Sequence, residues 1–402
     1  MLFRTLLLEL GTHVVALAGQ NLVPFVSGPA APEISRVRCP YGDVVQCSEL
    51  DEDLLQQLLD PFAVHRGPLV SPVDRIVPTS FRRHAAETEE RLESLVSGFI
   101  TDSNDASAEF FDDPVEVREG RTARIGNMGI VRALPTKGRR TIGAWCLLDV
   151  MLPGDELDPD PLEIGPHPHT GLSTVTWLLE GEALHSDSLG TEQIIRPGQL
   201  NLMSAGNGVA HAELSGASGV RGIQMWVAQP DATRTASAGF EHHSDLPVAD
   251  LKTGQATVFV GSLAGAASPA RQDTPLLGAD LTLGSGSITL PADPTFEYGI
   301  VPVDGRLVLN GAIVEEGWLG MITEPTETLV IESEGPARAI LIGGEPLGWP
   351  LSMWWNFVGR TKDEITDAWR DWQAGDTDRY PEFPSVLDRI DAPTPPWIRR
   401  VD

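Results

Sequence analysis

Gly165-Pro-His-Pro-His-Thr-Gly-Leu-Ser-Thr-Val-Thr-Trp-Leu-Leu-Glu-Gly181 and Gly206-Asn-Gly-Val-Ala-His-Ala-Glu213 are the two stretches on which the reading of this chain turns. Each carries two potential ligands one residue apart, His167 with His169 and His211 with Glu213. Side chains alternate faces along a β-strand, so residues i and i+2 converge on whatever that face covers. A lone His-x-His is common on solvated strands. Here a glycine turn precedes each pair, and a β-branched run closed by Glu180-Gly181 follows the first, so both pairs read as strand residues. Ser188-Leu-Gly190 and Arg196-Pro-Gly198 mark further turns between them. Residues 167 to 213 therefore read as successive short antiparallel strands, the repeat of a small β-barrel. Three imidazoles and one carboxylate aimed at one spot suit Fe, Ni, Cu, Mn or Zn. On an octahedral ion, four protein ligands leave two positions for water, O2 or substrate.

A purely structural metal is disfavoured, because closed structural sites are usually tetrahedral zinc with cysteines. None of Cys39, Cys47 and Cys146 lies in the ligand motifs. Their odd number and wide spacing suit a reducing compartment, and the expected location is cytoplasmic. The 402 residues are enough for two or three domains. A net charge of −28, with only three lysines (Lys137, Lys252, Lys362), excludes a phosphate-backbone reader and hence direct nucleic-acid binding.

Residues 1–110 are expected to be an extension, mostly loop or disordered, with a short helix near 86–98. Met1 to Ala18 has the outline of a signal peptide, but Glu9 and His13 interrupt its apolar run, which is too short and too charged to span a bilayer. No membrane partner is expected. A translation start further down, for instance at Met128, is one reading of this extension. Residues 111–245 are expected to form a first β-domain holding the metal site, and 246–348 a second. The second domain's strand-like runs include Gly254–Gly261, Asp280–Gly284, Phe296–Val303 and Arg338–Ile342, and no histidine follows His243. Residues 349–402 are expected to form a helix and tail. Thr361 is placed to cap a helix, Glu364 stands three residues on, and apolar residues recur at 365, 368, 369 and 372.

His-Pro-His-Thr-Gly-Leu-Ser-Thr-Val-Thr-Trp-Leu-Leu-Glu-Gly-Glu, His185-Ser-Asp-Ser-Leu-Gly190, Met203-Ser-Ala-Gly-Asn-Gly208, His211-Ala-Glu213, Gly222-Ile-Gln-Met-Trp-Val227 and Ile342-Gly-Gly-Glu-Pro-Leu-Gly348 occur in that order. In these motifs the chain resembles the pirin family of the cupin superfamily, over roughly residues 112 to 380. The resemblance implies an all-β bicupin, two tandem antiparallel barrels of which only the first holds metal, followed by a helix. It places the four ligands at His167, His169, His211 and Glu213. It also implies one divalent ion, iron first, with Ni, Cu, Mn, Co or Zn as alternatives. Ser173 stands where many pirins carry glutamate, which weakens the expectation of an acidic group beside the metal.

Some pirins resemble quercetin 2,3-dioxygenases, which cleave a flavonol with O2 and release carbon monoxide. On that reading a small aromatic, enolic substrate meets O2 at the metal, and Glu213 is both ligand and catalytic proton acceptor. The alternative is a metal-dependent regulator that binds a transcription factor or a metabolic enzyme. A deep apolar pocket above the metal favours the enzyme, and a plugged site beside an exposed apolar patch favours the binding protein. His185, near a turn, is expected at the surface or behind the ligands. His242 and His243 are adjacent and cannot both chelate one ion. Gln224 and Trp226 are candidates for the pocket wall or for the core.

Overall fold

A computed structural model of the chain describes residues 114–126, 128–151 and 161–398, together with five short N-terminal strands. Three of these, Leu6–Leu10, His13–Ala18 and Asn21–Phe25, pair as an antiparallel meander. Val37–Arg38 and Val44–Val45 pair with each other. Of the signal-like stretch, Leu6–Leu10 and His13–Ala18 are thus paired strands, and the helix expected near 86–98 lies outside the described residues.

Two curled antiparallel sheets follow, the bicupin architecture expected from the motifs. The first runs in the order Gly239–His243, Leu200–Ser204, Leu172–Asp187, Val209–Ala228, Trp145–Met151, Met128–Leu134 and Arg121–Ile125. Glu163–His169 is added on Val209–Ala228, and Glu192–Ile195 on Leu172–Asp187. Its two longest strands have 16 and 20 residues. Their mutual register shifts between Leu178 and Glu180 and again between Gly181 and Ala183. Such irregularities bend a strand, so one pair of strands serves two walls of the barrel. The second sheet runs Val248–Leu251, Gly254–Val260, Leu276–Leu283, Ala337–Gly344, Glu297–Asp304, Leu319–Ile322 and Val115–Arg118. That last strand precedes the first barrel in sequence yet closes the second.

Alternation along the strands separates three apolar clusters. Met128, Ile130, Met151, Leu178 and Val220 fill the first barrel, and Val258, Leu281, Ile300 and Leu341 fill the second. Between the barrels, Trp145, Val175, Trp177 and Met225 from the first meet Phe259, Val301 and Ile340 from the second. Trp177 stacks on Phe259 at 5.3 Å and donates its indole N–H to Asp280 Oδ2 at 2.9 Å, while Trp145 donates to the Leu277 and Gly343 carbonyls. Each buried indole thus keeps its polar end satisfied.

The helix Lys362–Ala374 is capped as its sequence predicts. Thr361 Oγ1 accepts from the Glu364 N–H, and Glu364 Oε2 accepts from the Arg360 N–H. Trp372 is buried and Trp369 half-buried against the tail. The segment from Ser352 onward returns to the first barrel: Val358 N–H donates to the Thr170 carbonyl and Ile390 N–H to that of Pro166. Gly165 lies so close under the tail that an added Cβ would stand 2.0 Å from the Asp388 carbonyl oxygen, a close approach that only glycine permits. Among the described residues no helix is long and apolar enough to cross a membrane.

Trp177→Ala empties a fully buried indole site at the inter-barrel seam and leaves Asp280 one donor short. The expected loss is about 3–5 kcal/mol of unfolding free energy, read as a lower denaturant midpoint.

Candidate metal centre

Pairing sets the geometry. Glu163–His169 lies antiparallel to the first half of Val209–Ala228, with His167 directly opposite His211. On the other flank of that same half-strand, Asp187 lies opposite His211 and His185 opposite Glu213. His211 therefore gathers with His167 and His169 in one set and with Glu213 and His185 in another, His185 being half of a third same-face pair with Asp187. The ligand atoms of His167, His169 and His211 lie within 4.8 Å of one another, and so do those of His185, His211 and Glu213. His211 belongs to both sets.

All of these side chains are buried, His169 and His211 to 1% exposure. Burial disfavours the imidazolium and pushes His167 down to about 4, and it holds His169 and His211 well below their ordinary value, with the neighbouring imidazoles adding to the effect. The three rings are thus neutral at pH 7, the form that binds a metal. His167 Nδ1 lies 2.9 Å from the Gly165 carbonyl, to which it donates, leaving Nε2 with its lone pair. His169 Nε2 and His211 Nε2 face each other at 3.0 Å, while His169 Nδ1 is buried without a hydrogen-bond partner. Two imidazole nitrogens bound side by side to one ion at bonds of about 2.1 Å would stand about 3 Å apart. The donor set fits a metal on chemistry and on spacing.

Burial also raises Glu213, with His185 and Thr176 pulling the other way. One carboxylate oxygen makes a long 3.5 Å contact with Thr176 Oγ1, which is bonded to Gln224 Oε1 at 2.9 Å. Cross-strand pairs Thr176 with Gln224 and Thr174 with Trp226 share this face, and Trp226 sets its ring edge-on to His169 at 5.3 Å. Gln224 and Trp226 thus belong to the site wall. Trp226 is half-buried and packs on the cluster of Cys146, Leu172, Ala228 and Val358. Further along the wall, opposite Gln224, Asp149 is held bidentately by Arg132 at 2.7 and 2.6 Å.

Of the two places expected for His185, at the surface or behind the ligands, the structure gives the second: it is 4% exposed, bonded to Asp187 and 3.3 Å from His211. The turn that follows His185 suggested exposure, but the opposing strand covers it. Its signal was the same i, i+2 spacing that singled out the other pairs. Ser173 points away from the metal face and bonds Ser204 at 3.1 Å, so its replacement of a glutamate has no bearing on the charge beside the ion. With Arg271 and Asp273 it lines a cavity between the barrels that also touches Val175, Leu202 and Val260 and lies away from the imidazoles. His242 bonds Asn201 and His243 bonds Glu241, both outside the cluster. Cys146 is buried and its thiol pushed up to about 12, so it offers no thiolate.

Two family models match this chain, the one described as Pirin over residues 129–227 and the Pirin C-terminal cupin domain over residues 279–378. A Pseudomonas aeruginosa protein that carries the name "putative quercetin 2,3-dioxygenase" is 42% identical over 282 residues, covering 69% of this chain and 89% of that one. A pirin-like protein of Caulobacter vibrioides is 34% identical over 64% of this chain and 93% of its own length. The crystal structure of a quercetin 2,3-dioxygenase from Acinetobacter baumannii superposes with a TM-score of 0.66 at 39% identity, covering 71% of this chain and 97% of that one.

Depressed imidazole pKa values have a direct consequence for the metal-free protein. Between pH 6.5 and about 4 the unfolded chain binds a proton at His167 that the folded chain does not, so stability falls as pH drops through this window. The expected loss from His167 alone is on the order of 3 kcal/mol, read from denaturant midpoints of stripped protein at pH 7 and pH 4.

Proposed function

Because the chain belongs to the pirin family of the cupin superfamily, we propose that it is a metal-dependent dioxygenase of the quercetin 2,3-dioxygenase type, opening the ring of a flavonol or similar enol with O2. The observation that carries this reading is the pair of facing Nε2 atoms at 3.0 Å among three buried, neutral imidazoles. Such a donor set supports an open ion better than a structural one.

His167, His169 and His211 would hold the ion, with Glu213 as the fourth ligand. When bound, the metal supplies Lewis-acid polarisation that makes the substrate's enol hydroxyl acidic. The protein's own groups then have defined tasks. Glu213, whose carboxyl burial raises, receives the hydroxyl proton at the oxygen that Thr176 does not contact. Thr176 donates its hydroxyl proton to Gln224 Oε1, which fixes that side chain beside the carboxylate. Trp226 offers an apolar edge beside His169 against which an aromatic ring can lie while water is kept out.

A second reading is supported by one observation. The imidazoles are at most 6% exposed, and the cavity between the barrels is not at the metal face, as expected of a binding protein whose ion tunes its shape. Against it, the exposed large apolar residues Leu189, Val248, Ile313 and Val386 are scattered singly along the described chain.

One experiment separates the two. Protein purified without chelators is analysed for metal, then stripped, reloaded with Fe(II), Ni(II), Cu(II) or Mn(II) in turn, and assayed for O2 uptake and loss of flavonol absorbance. The dioxygenase reading expects stoichiometric metal and turnover that vanishes on stripping and returns on loading, with at least about a hundredfold loss in His211→Ala. Bound metal without turnover selects the regulator, and absence of metal rejects both.

A further inference from the structure

Asp187 is tied down by the hairpin that follows it. Its Oδ1 accepts the backbone N–H groups of Leu189 and Thr191 at 2.9 and 3.0 Å. Its Oδ2 lies 3.1 Å from His185 Nε2. Burial acts to raise this carboxyl, but the hydrogen bonds from His185 and Thr191 outweigh it and keep Asp187 ionised. A carboxylate only accepts, so His185 must donate from Nε2. Phe240 stacks on the His185 ring at 4.6 Å and 25°, which fixes the plane in which the imidazole lies.

His185 Nδ1 stands 3.3 Å from His211 Nδ1. As a neutral imidazole with its proton on Nε2, His185 presents a lone pair at Nδ1, and the hydrogen between the two rings then belongs to His211. A proton on His211 Nδ1 leaves the lone pair on Nε2, the atom that faces His169 Nε2 at 3.0 Å. We infer that Asp187 and His185 form a buried hydrogen-bonded relay that fixes the tautomer of His211, making His185 a positioning residue of the metal centre, which presupposes the metal reading above. His167 reaches the same state by a shorter route, its Nδ1 donating to the Gly165 carbonyl. His211 cannot use a backbone carbonyl in this way, because its Nδ1 faces another imidazole rather than the main chain. The relay replaces the missing acceptor with an anchored one, as outer partners of metal-bound histidines generally do.

Metal-free wild type is tested first by two-bond 1H–15N correlation of its imidazoles. The proton is expected on Nε2 of His185 and on Nδ1 of His211, and a proton on His211 Nε2 would overturn the assignment. Wild type, His185→Phe and His185→Asn are then titrated with Co(II) against a competing chelator while the visible bands of the bound ion are followed. Circular dichroism of each metal-free protein checks that it folds. Wild type is expected to take one Co(II). His185→Phe keeps the volume without the acceptor and should bind about 10- to 100-fold more weakly with shifted bands. His185→Asn, whose amide oxygen stands close to the Nδ1 position, should recover most of the affinity. Equal affinity in His185→Phe overturns the relay while leaving the metal reading intact. Equal weakness in both variants shows that an acceptor at the Nδ1 position does not restore binding and overturns the relay. Two ions in wild type with one lost in His185→Phe would make His185 a ligand instead. If wild type binds no Co(II), the metal reading falls and the relay with it. Should His185→Phe not fold, the tautomer spectrum and the His185→Asn titration decide.

Discussion

The hydrogen-bond register of Val209–Ala228 between its neighbours is the constraint on which the site depends. Its first half is paired on both flanks, with Glu163–His169 on one side and the end of Leu172–Asp187 on the other. That double pairing puts His211 beside both His167 and Asp187, and Glu213 beside His185. A slip of one residue would turn every one of these side chains to the other face. The register holds because the second half of the same strand is committed elsewhere: Ile223, Met225 and Val227 are buried in the core between the barrels, where a slip would exchange them for Gln224 and Trp226.

This division of faces explains how a barrel without a single histidine can matter to the site. Ser173, Val175 and Trp177 look toward the second barrel, while Thr174 and Thr176 look toward the imidazoles. Packing on one face therefore steadies geometry on the other. The segment beyond the second barrel adds a clamp, donating hydrogen bonds to the Pro166 and Thr170 carbonyls on either side of the His167 and His169 pair. Tyr380 reinforces it through a 2.7 Å bond between its hydroxyl and that of Thr170. The burial so produced is the main cause of the depressed imidazole pKa values, so packing and ligand chemistry are one effect seen at two levels.

Much of the architecture was legible because it rests on local rules. Glycine turns, β-branched runs and the i, i+2 spacing marked the strands around His167, His169, His211 and Glu213, and the motif order pointed to two barrels and one metal site. Thr361 and Glu364 announced the last helix, since capping is a matter of a few adjacent residues.

What the chain could not reveal alone involved partners distant in sequence. Strand spacing says which residues share a face, but not which of a barrel's faces meets solvent, core or metal. Thus the spacing of His185 and Asp187 marks a same-face pair, yet only its pairing opposite Glu213 makes His185 a neighbour of His211, and only the cover of that strand makes it dry. Ser173 shows the converse, near the ligands in sequence and turned away from them in space. The strand Val115–Arg118 joins the second sheet although it precedes the first, because an edge strand takes the partner whose open hydrogen bonds it meets, whatever its place in the chain. The sequence by itself determined the fold class and the ligand types, which are local properties of residues. The tertiary structure alone decided register, burial and which histidine orients which, because these depend on contacts between segments that sequence order leaves far apart.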